Sequence, residues 1–160
     1  MLSQKSKDGL RRFALLVTSL IFVTMLSGGF VAGLKAGLAY NTFPLMAGQW
    51  IPNGILALEP WWRNLFDNIA TVQFDHRVLA TLLFVLIPTL WLVATRASLS
   101  TRIRWGLHVL VIMLGIQITL GILTLLFYVP VVLAASHQAG ALLLLTASLF
   151  VTHELFNNYK

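Results

Sequence analysis

Few side chains in this sequence can do chemistry beyond acid–base and hydrogen-bonding work. There are four histidines, His76, His108, His137 and His153, and no cysteine in 160 residues. The lack of cysteine excludes disulfides, thiolate catalysis, iron–sulfur clusters and cysteine-ligated zinc. Imidazole remains as a metal ligand and proton carrier. Two histidines stand in unusual company. In "VQFDHRVLATLLFVLIPTLWLVA" (Val72 to Ala94), Asp75, His76 and Arg77 open an otherwise apolar run. In "LAASHQAGA", His137 is set among Ala134, Ala135, Ser136, Ala139, Gly140 and Ala141. An ionisable group inside an apolar run is a functional candidate, because lipid makes it expensive.

The elements that must position these groups follow from composition. The chain is 58% hydrophobic and 10% charged, whereas a soluble domain is about half apolar and about a quarter charged. It reads as an all-α integral membrane protein with one domain over residues 1–160. A span needs about 20 apolar residues at 1.5 Å of rise each. Four runs qualify, at about 13–34, 71–94, 105–127 and 131–151. A tight turn near Tyr128 and Pro130 joins the last two into a hairpin. The architecture expected is a four-helix bundle. Gly29, Gly33 and Gly37, four residues apart, are expected to let helices pack closely.

The net charge of +6 is not a nucleic-acid signal, because the charges fall between the spans. Lys5, Lys7, Arg11 and Arg12 precede the first span, Arg96, Arg102 and Arg104 link the second to the third, and Lys160 ends the chain. Across the membrane, Lys35, Arg63 and Arg77 are offset by Glu59, Asp67 and Asp75. Both termini are therefore expected on the cytoplasmic side of an inner membrane, or the matrix side in a mitochondrion. The first apolar run is too long for the core of a signal peptide. The one long connection, about 35–70, lies on the outer face. Its "NTFPLMAGQWIPNG" is turn-rich. Its "EPWWRNLFDNIA" suits a short interfacial helix, with Pro60 in its first turn and Trp61, Trp62, Leu65, Phe66 and Ile69 at helical spacing. This loop is either a ligand wall or an interfacial anchor.

Depth sorts the histidines. His76 and His137 lie near the outer starts of two parallel helices. Counted from the inner ends, their levels differ by about 6 Å, which helix tilt absorbs. His108 is at the inner end of the third span, roughly 15 Å or more away. His153, beside Glu154, is expected at the inner boundary in contact with solvent. Two opposed imidazoles at one depth in a bundle suit the axial positions of haem iron. The small residues around His137 leave room for a flat macrocycle. Arg77 is placed to pair with a haem propionate, although Asp75 could equally neutralise it. The alternative is a pair of polar residues joining helices. Zinc lacks further ligands at this level. Gln117, midway along the third span, is expected to hydrogen-bond to a neighbouring helix.

The segments "GGFVAGLKAGLAYNTFPLMAGQWIP", "LEPWWRNLFDNIATVQFDHR", "QITLGILTLL" and "SHQAGALLLL" resemble the C-terminal half of the heme A synthase family, over about residues 11–149. "NTFPLM" and "QFDHR" are its specific parts. The resemblance implies a membrane oxidoreductase that converts a methyl group of heme O to the formyl group of heme A, for cytochrome oxidase assembly. It also implies eight helices in two similar halves, of which the C-terminal half holds haem b. Carried across, His76 and His137 become the iron ligands of haem b, and heme O the substrate. The implied partners are membrane lipid, a complementary substrate half or a second copy of the chain, and heme O synthase; no nucleic acid is implied.

Two departures qualify this expectation. The family's substrate half has a catalytic glutamate three residues before its first histidine, where this chain has Gln73, and an amide cannot act as a carboxylate base. The substrate half is also missing, which leaves open a fragment, a split subunit or a half-size member that dimerises. Catalytic residues are therefore not assigned. The competing expectations are a membrane b-type cytochrome that carries electrons without oxidising heme O, and a non-haem structural or assembly protein.

Overall fold

The computed structural model describes residues 4–157, with side chains from residue 7 onward. Lys160 and the side chain of Lys5, both used above for orientation, lie outside the described residues. Four long helices dominate: α1 (Gln4–Gly33), α4 (Ile69–Thr95), α5 (Thr101–Leu126) and α6 (Val131–Asn157). Two short ones, α2 (Ala36–Ala39) and α3 (Asn64–Asp67), lie in the long connection. All four long helices are long and apolar enough to cross a membrane. A 27-residue helix such as α4 is about 40 Å long, against a hydrocarbon core of about 30 Å. Each helix therefore overruns the span read from hydropathy, and the basic N-terminal stretch continues α1 rather than trailing from it.

Neighbouring helices in the bundle are α1 with α4, α4 with α5, α5 with α6, and α6 with α1. That order puts α4 and α6 diagonally across from each other. The outer surface is apolar: Leu16, Phe22, Phe84, Val85, Ile112, Leu142 and Leu143 are all exposed. In water such a surface would be an aggregation liability, and in lipid it is the solvent-facing side. The chain is an all-α membrane bundle.

The buried apolar core does not run the full length of the bundle. Leu10, Ala14, Val17 and Ile21 of α1 meet Leu83, Ile87, Leu90 and Ala94 of α4. Ile103, Leu107, Leu110 and Leu114 of α5 and Leu144, Val151 and Leu155 of α6 complete the cluster. The three- and four-residue spacing keeps each set on one helix face. All lie in the half of the bundle nearer the chain termini. Polar groups join α1 to α6 there: Thr18 Oγ1 is 2.6 Å from Ser148 Oγ and 2.8 Å from Thr152 Oγ1. Arg11 Nε donates to the Leu155 carbonyl (3.0 Å).

The other end is capped by the long connection. Met46 and Gln49 pair through two backbone hydrogen bonds around Ala47 and Gly48. Both central residues have positive φ (48° and 83°), as a primed hairpin turn demands. Met46 is buried beneath this turn. The short helix expected over "EPWWRNLFDNIA" is split. A 3-10 turn (Trp61–Arg63) leads into α3, and Asn68 then leaves helical geometry (φ −92°, ψ 113°). Its side-chain oxygen accepts from Ala70 N (2.9 Å) and Thr71 N (3.2 Å), which starts α4. Pro60 is extended and precedes the turn. Trp61, Trp62, Leu65, Phe66 and Ile69 are exposed, as an interfacial segment requires. The α5–α6 turn puts Tyr128 and Val129 at φ near +60°, a strained choice for a β-branched residue. Val129 N donates to the Thr124 carbonyl (2.8 Å), and a Cβ added at Gly37 of α2 would stand 3.0 Å from Val129 Cγ2.

Candidate functional site

His76 is the eighth residue of α4 and His137 the seventh of α6. At 1.5 Å per residue they lie about 10.5 Å and about 9 Å from the starts of two parallel helices. Counted from the other ends, the levels differ by about 1.5 Å, which is closer than the hydropathy boundaries implied. Both sit at the capped end, on diagonal helices. Both stand beyond the end of the apolar core.

Each imidazole lies against a glycine of the adjacent helix. A Cβ added to Gly28 of α1 would stand 3.2 Å from His76 Cε1. One added to Gly121 of α5 would stand 2.9 Å from His137 Cε1. Gly29 and Gly33, expected to pack helices, meet nothing within 4 Å, and Gly37 falls outside α1. The glycine that matters on α1 is one position away, because helix packing sets how α1 is rotated about its axis.

Polar groups fix the two histidines unequally. Ser27 Oγ lies 2.8 Å from His76 Nδ1. His137 Nδ1 is buried without a hydrogen-bond partner. On the backbone side, Gln117 Nε2 donates to the His137 carbonyl (2.8 Å), which is the inter-helix bond expected of Gln117. Its Oε1 occupies the space that a side chain at Gly140 would need.

The residues flanking His76 hold the cap. Gln73 is fully buried, and its Nε2 donates to the Tyr40 carbonyl (2.8 Å). Arg77 Nη1 donates to the carbonyls of Pro44 (3.1 Å) and Leu45 (3.4 Å), and Nη2 to those of Tyr40 (3.1 Å) and Thr42 (2.9 Å). Its Nε is buried without a partner. Four loop carbonyls thus occupy the guanidinium terminus that the sequence placed at a propionate. Asp75 does not neutralise Arg77. It lines an apolar groove of about 250 Å³ with Leu26, Ser27, Phe30, Leu65 and Val72. Asn64 and Asn68 complete a polar layer under the cap, with Asn68 Nδ2 donating to Asn64 Oδ1 (2.9 Å) and to the Gly54 carbonyl (2.8 Å). Sequence reasoning did not single out Ser27, Gly28, Gly121 or this asparagine layer. The helix-start signal of Asn68 was the one clue available.

The other two histidines belong elsewhere. His108 Nδ1 accepts from Trp91 Nε1 (3.1 Å), and the Trp105 ring packs edge-on at 6.3 Å. His153 is exposed and lies 2.7 Å from Asn157 Nδ2 through Nε2. No group of three or more metal-ligating side chains exists among the described residues; His76 and His137 are the two imidazoles at this level. The donor set fits haem iron, which takes four ligands from the macrocycle and needs two from the protein. The end of the main apolar cluster below this level, the two glycine-backed rings and the Nδ1 of His137 buried without a hydrogen bond are the features that fit it.

Comparison with known proteins agrees with the resemblance. The COX15-CtaA family, described as cytochrome oxidase assembly protein, matches residues 1–149. A heme A synthase of Nitrosospira multiformis is 58% identical over 147 residues, which cover 92% of this chain and 41% of that protein. The human heme A synthase COX15 is 47% identical over 146 residues, covering 91% of this chain and 36% of its own length. A heme A synthase of Paramagnetospirillum magneticum is 46% identical over 145 residues, with 91% and 40% covered. No solved structure matches. The chain spans about two-fifths of the length of the curated relatives it matches. A four-span bundle that matches the family over nearly its whole length belongs to the heme A synthase (COX15-CtaA) family of cytochrome oxidase assembly proteins.

Proposed function

We propose that this bundle is the haem b-holding part of a heme A synthase-type membrane oxidoreductase, with His76 and His137 as the residues that would hold the iron. The observation that carries this is the end of the apolar core below the two histidines, where α4 and α6 present imidazoles at one depth across the bundle. The chain's own residues hold, orient and shield. Gly28 and Gly121 admit the rings, Gln117 fixes the backbone of His137, and Arg77 fastens the cap. Arg77 Nε–H is the one guanidinium donor that the loop carbonyls leave unpaired, and it is buried. Bound haem b would supply one-electron redox chemistry. The substrate in this reading is heme O, oxidised at a methyl group to the formyl of heme A, and the product serves cytochrome oxidase assembly.

The rest of the machinery comes from outside these residues. A complementary substrate half or a second copy supplies the heme O site, and heme O synthase supplies the substrate. The capped end faces away from the cytoplasm or matrix, and both termini face toward it, in the bacterial or mitochondrial inner membrane. Gln73 favours a second reading, a b-type cytochrome that carries electrons without oxidising heme O, since its amide is committed to the Tyr40 carbonyl.

Visible spectra of the chain from haem-replete cells, oxidised and dithionite-reduced, test the ligand pair beside His76→Ala and His137→Ala. The expected result is a low-spin b-type spectrum that is lost or turned high-spin in both variants. A colourless wild-type chain, or variants with unchanged spectra, would overturn it. Heme A formation by this chain without a second half would overturn the cytochrome reading.

A further inference from the structure

The hydrogen bonds around Ser27 bear on which nitrogen of His76 is free. A serine hydroxyl has one hydrogen to donate. Ser27 Oγ lies 2.7 Å from the Thr24 carbonyl, which can only accept, so the hydroxyl proton is spent there. With the hydroxyl proton on that carbonyl, His76 Nδ1, 2.8 Å from the same oxygen, is assigned as the donor. Nδ1 carries the proton, and Nε2 presents its lone pair. The adjacent Gly28 lies against Cε1 of the same ring. One turn of α1 thus sets both the tautomer and the plane of the imidazole. No side-chain hydroxyl plays this part at His137, whose Nδ1 makes no hydrogen bond of good geometry.

We propose that Ser27 is a positioning residue for the haem, acting through His76: the Thr24 carbonyl–Ser27 hydroxyl–His76 Nδ1 chain pre-sets Nε2 for iron and raises the basicity of the imidazole. This rests on the reading of His76 as an iron ligand. Histidine ligands are ordinarily held by a hydrogen bond from the second ring nitrogen, and losing that partner costs about 10- to 100-fold in affinity. A more basic imidazole favours ferric iron, so loss of the acceptor raises the midpoint potential. Each tenfold of preferential loss from the ferric state corresponds to about 59 mV for one electron.

The test uses the haem-loaded full chain, as wild type, Ser27→Ala, Ser27→Thr and His76→Ala. Haem retention against an excess of apomyoglobin, the midpoint potential and the ferric electron paramagnetic resonance spectrum are measured. For Ser27→Ala the expected result is a b-type spectrum that persists, haem affinity down about tenfold or more, a higher potential and shifted ferric signals. Ser27→Thr, which keeps a hydroxyl able to bridge, should restore all three. Wild-type affinity and potential in Ser27→Ala, with haem lost from His76→Ala, would overturn the role of Ser27 and leave the ligand assignment standing. An unchanged spectrum in His76→Ala would overturn both.

Discussion

Gly121→Ala tests the site through a single methyl group. The new Cβ would stand 2.9 Å from His137 Cε1 and 3.4 Å from both ring nitrogens. Carbon atoms rest at about 3.5–4.0 Å, so the ring must move by about 0.6 Å or more, or α5 must part from α6. Overpacking costs about 1–3 kcal/mol, and replacing a helical glycine with alanine returns about 1 kcal/mol. The net loss in the chain without haem is then about 0–2 kcal/mol, because a free imidazole can swing aside. If His137 holds iron as proposed, its ring would not be free to swing aside. The expected outcome is a thermal transition close to wild type without haem, and haem that is lost or high-spin on loading. Gly115→Ala on the same helix is the control, since nothing lies within 4 Å of its Cβ; it should keep the spectrum and stabilise slightly. Melting followed by circular dichroism, with reduced-minus-oxidised spectra, reads both quantities. Wild-type haem content and spin state in Gly121→Ala would refute the placement of His137 at the iron.

Three other perturbations probe the cap. Arg77→Gln removes donors from the carbonyls of Tyr40, Thr42, Pro44 and Leu45; protease cleavage within residues 40–50 should accelerate, and an unchanged rate would show that the loop holds without Arg77. Gln73→Glu replaces the donor to the Tyr40 carbonyl with an acceptor in a fully buried position. Stability should fall by about 1–3 kcal/mol or more, so a variant that melts like wild type would contradict this packing. Asn68→Ala deletes the cap of α4 and the bond to the Gly54 carbonyl. The expected loss is about 1–2 kcal/mol, read as a lower melting temperature, and a neutral result would mean that other contacts start α4.

Much of the bundle was legible because lipid imposes a length and a composition on any helix that crosses it. The four spans and the hairpin at Tyr128–Pro130 follow from that constraint alone. So does the common level of His76 and His137, since a helix rises by a constant step. Boundaries were less legible. Hydropathy marks where a helix leaves lipid, whereas α1 and α6 continue into the polar region on their own hydrogen bonds. The short interfacial helix kept its exposed tryptophans but broke at Asn68, where a side-chain cap outweighed helical continuity.

The sequence by itself determined the kind of molecule: four membrane helices, a long aromatic connection, two imidazoles at one depth, and the motifs "NTFPLM" and "QFDHR" that resemble the heme A synthase family. These are one-dimensional properties, set by residue type and by distance along a helix. Only the tertiary structure decided which helices are neighbours and how each is turned about its axis. That turn puts Gly28 rather than Gly29 against His76 and brings Ser27 to its Nδ1. It also aims Arg77 at loop carbonyls some 35 residues away in the chain, from Tyr40 to Leu45, rather than at the neighbouring Asp75. Rotation about a helix axis is fixed by the fit between packed faces, and a string of residues does not state it until the partners are in place.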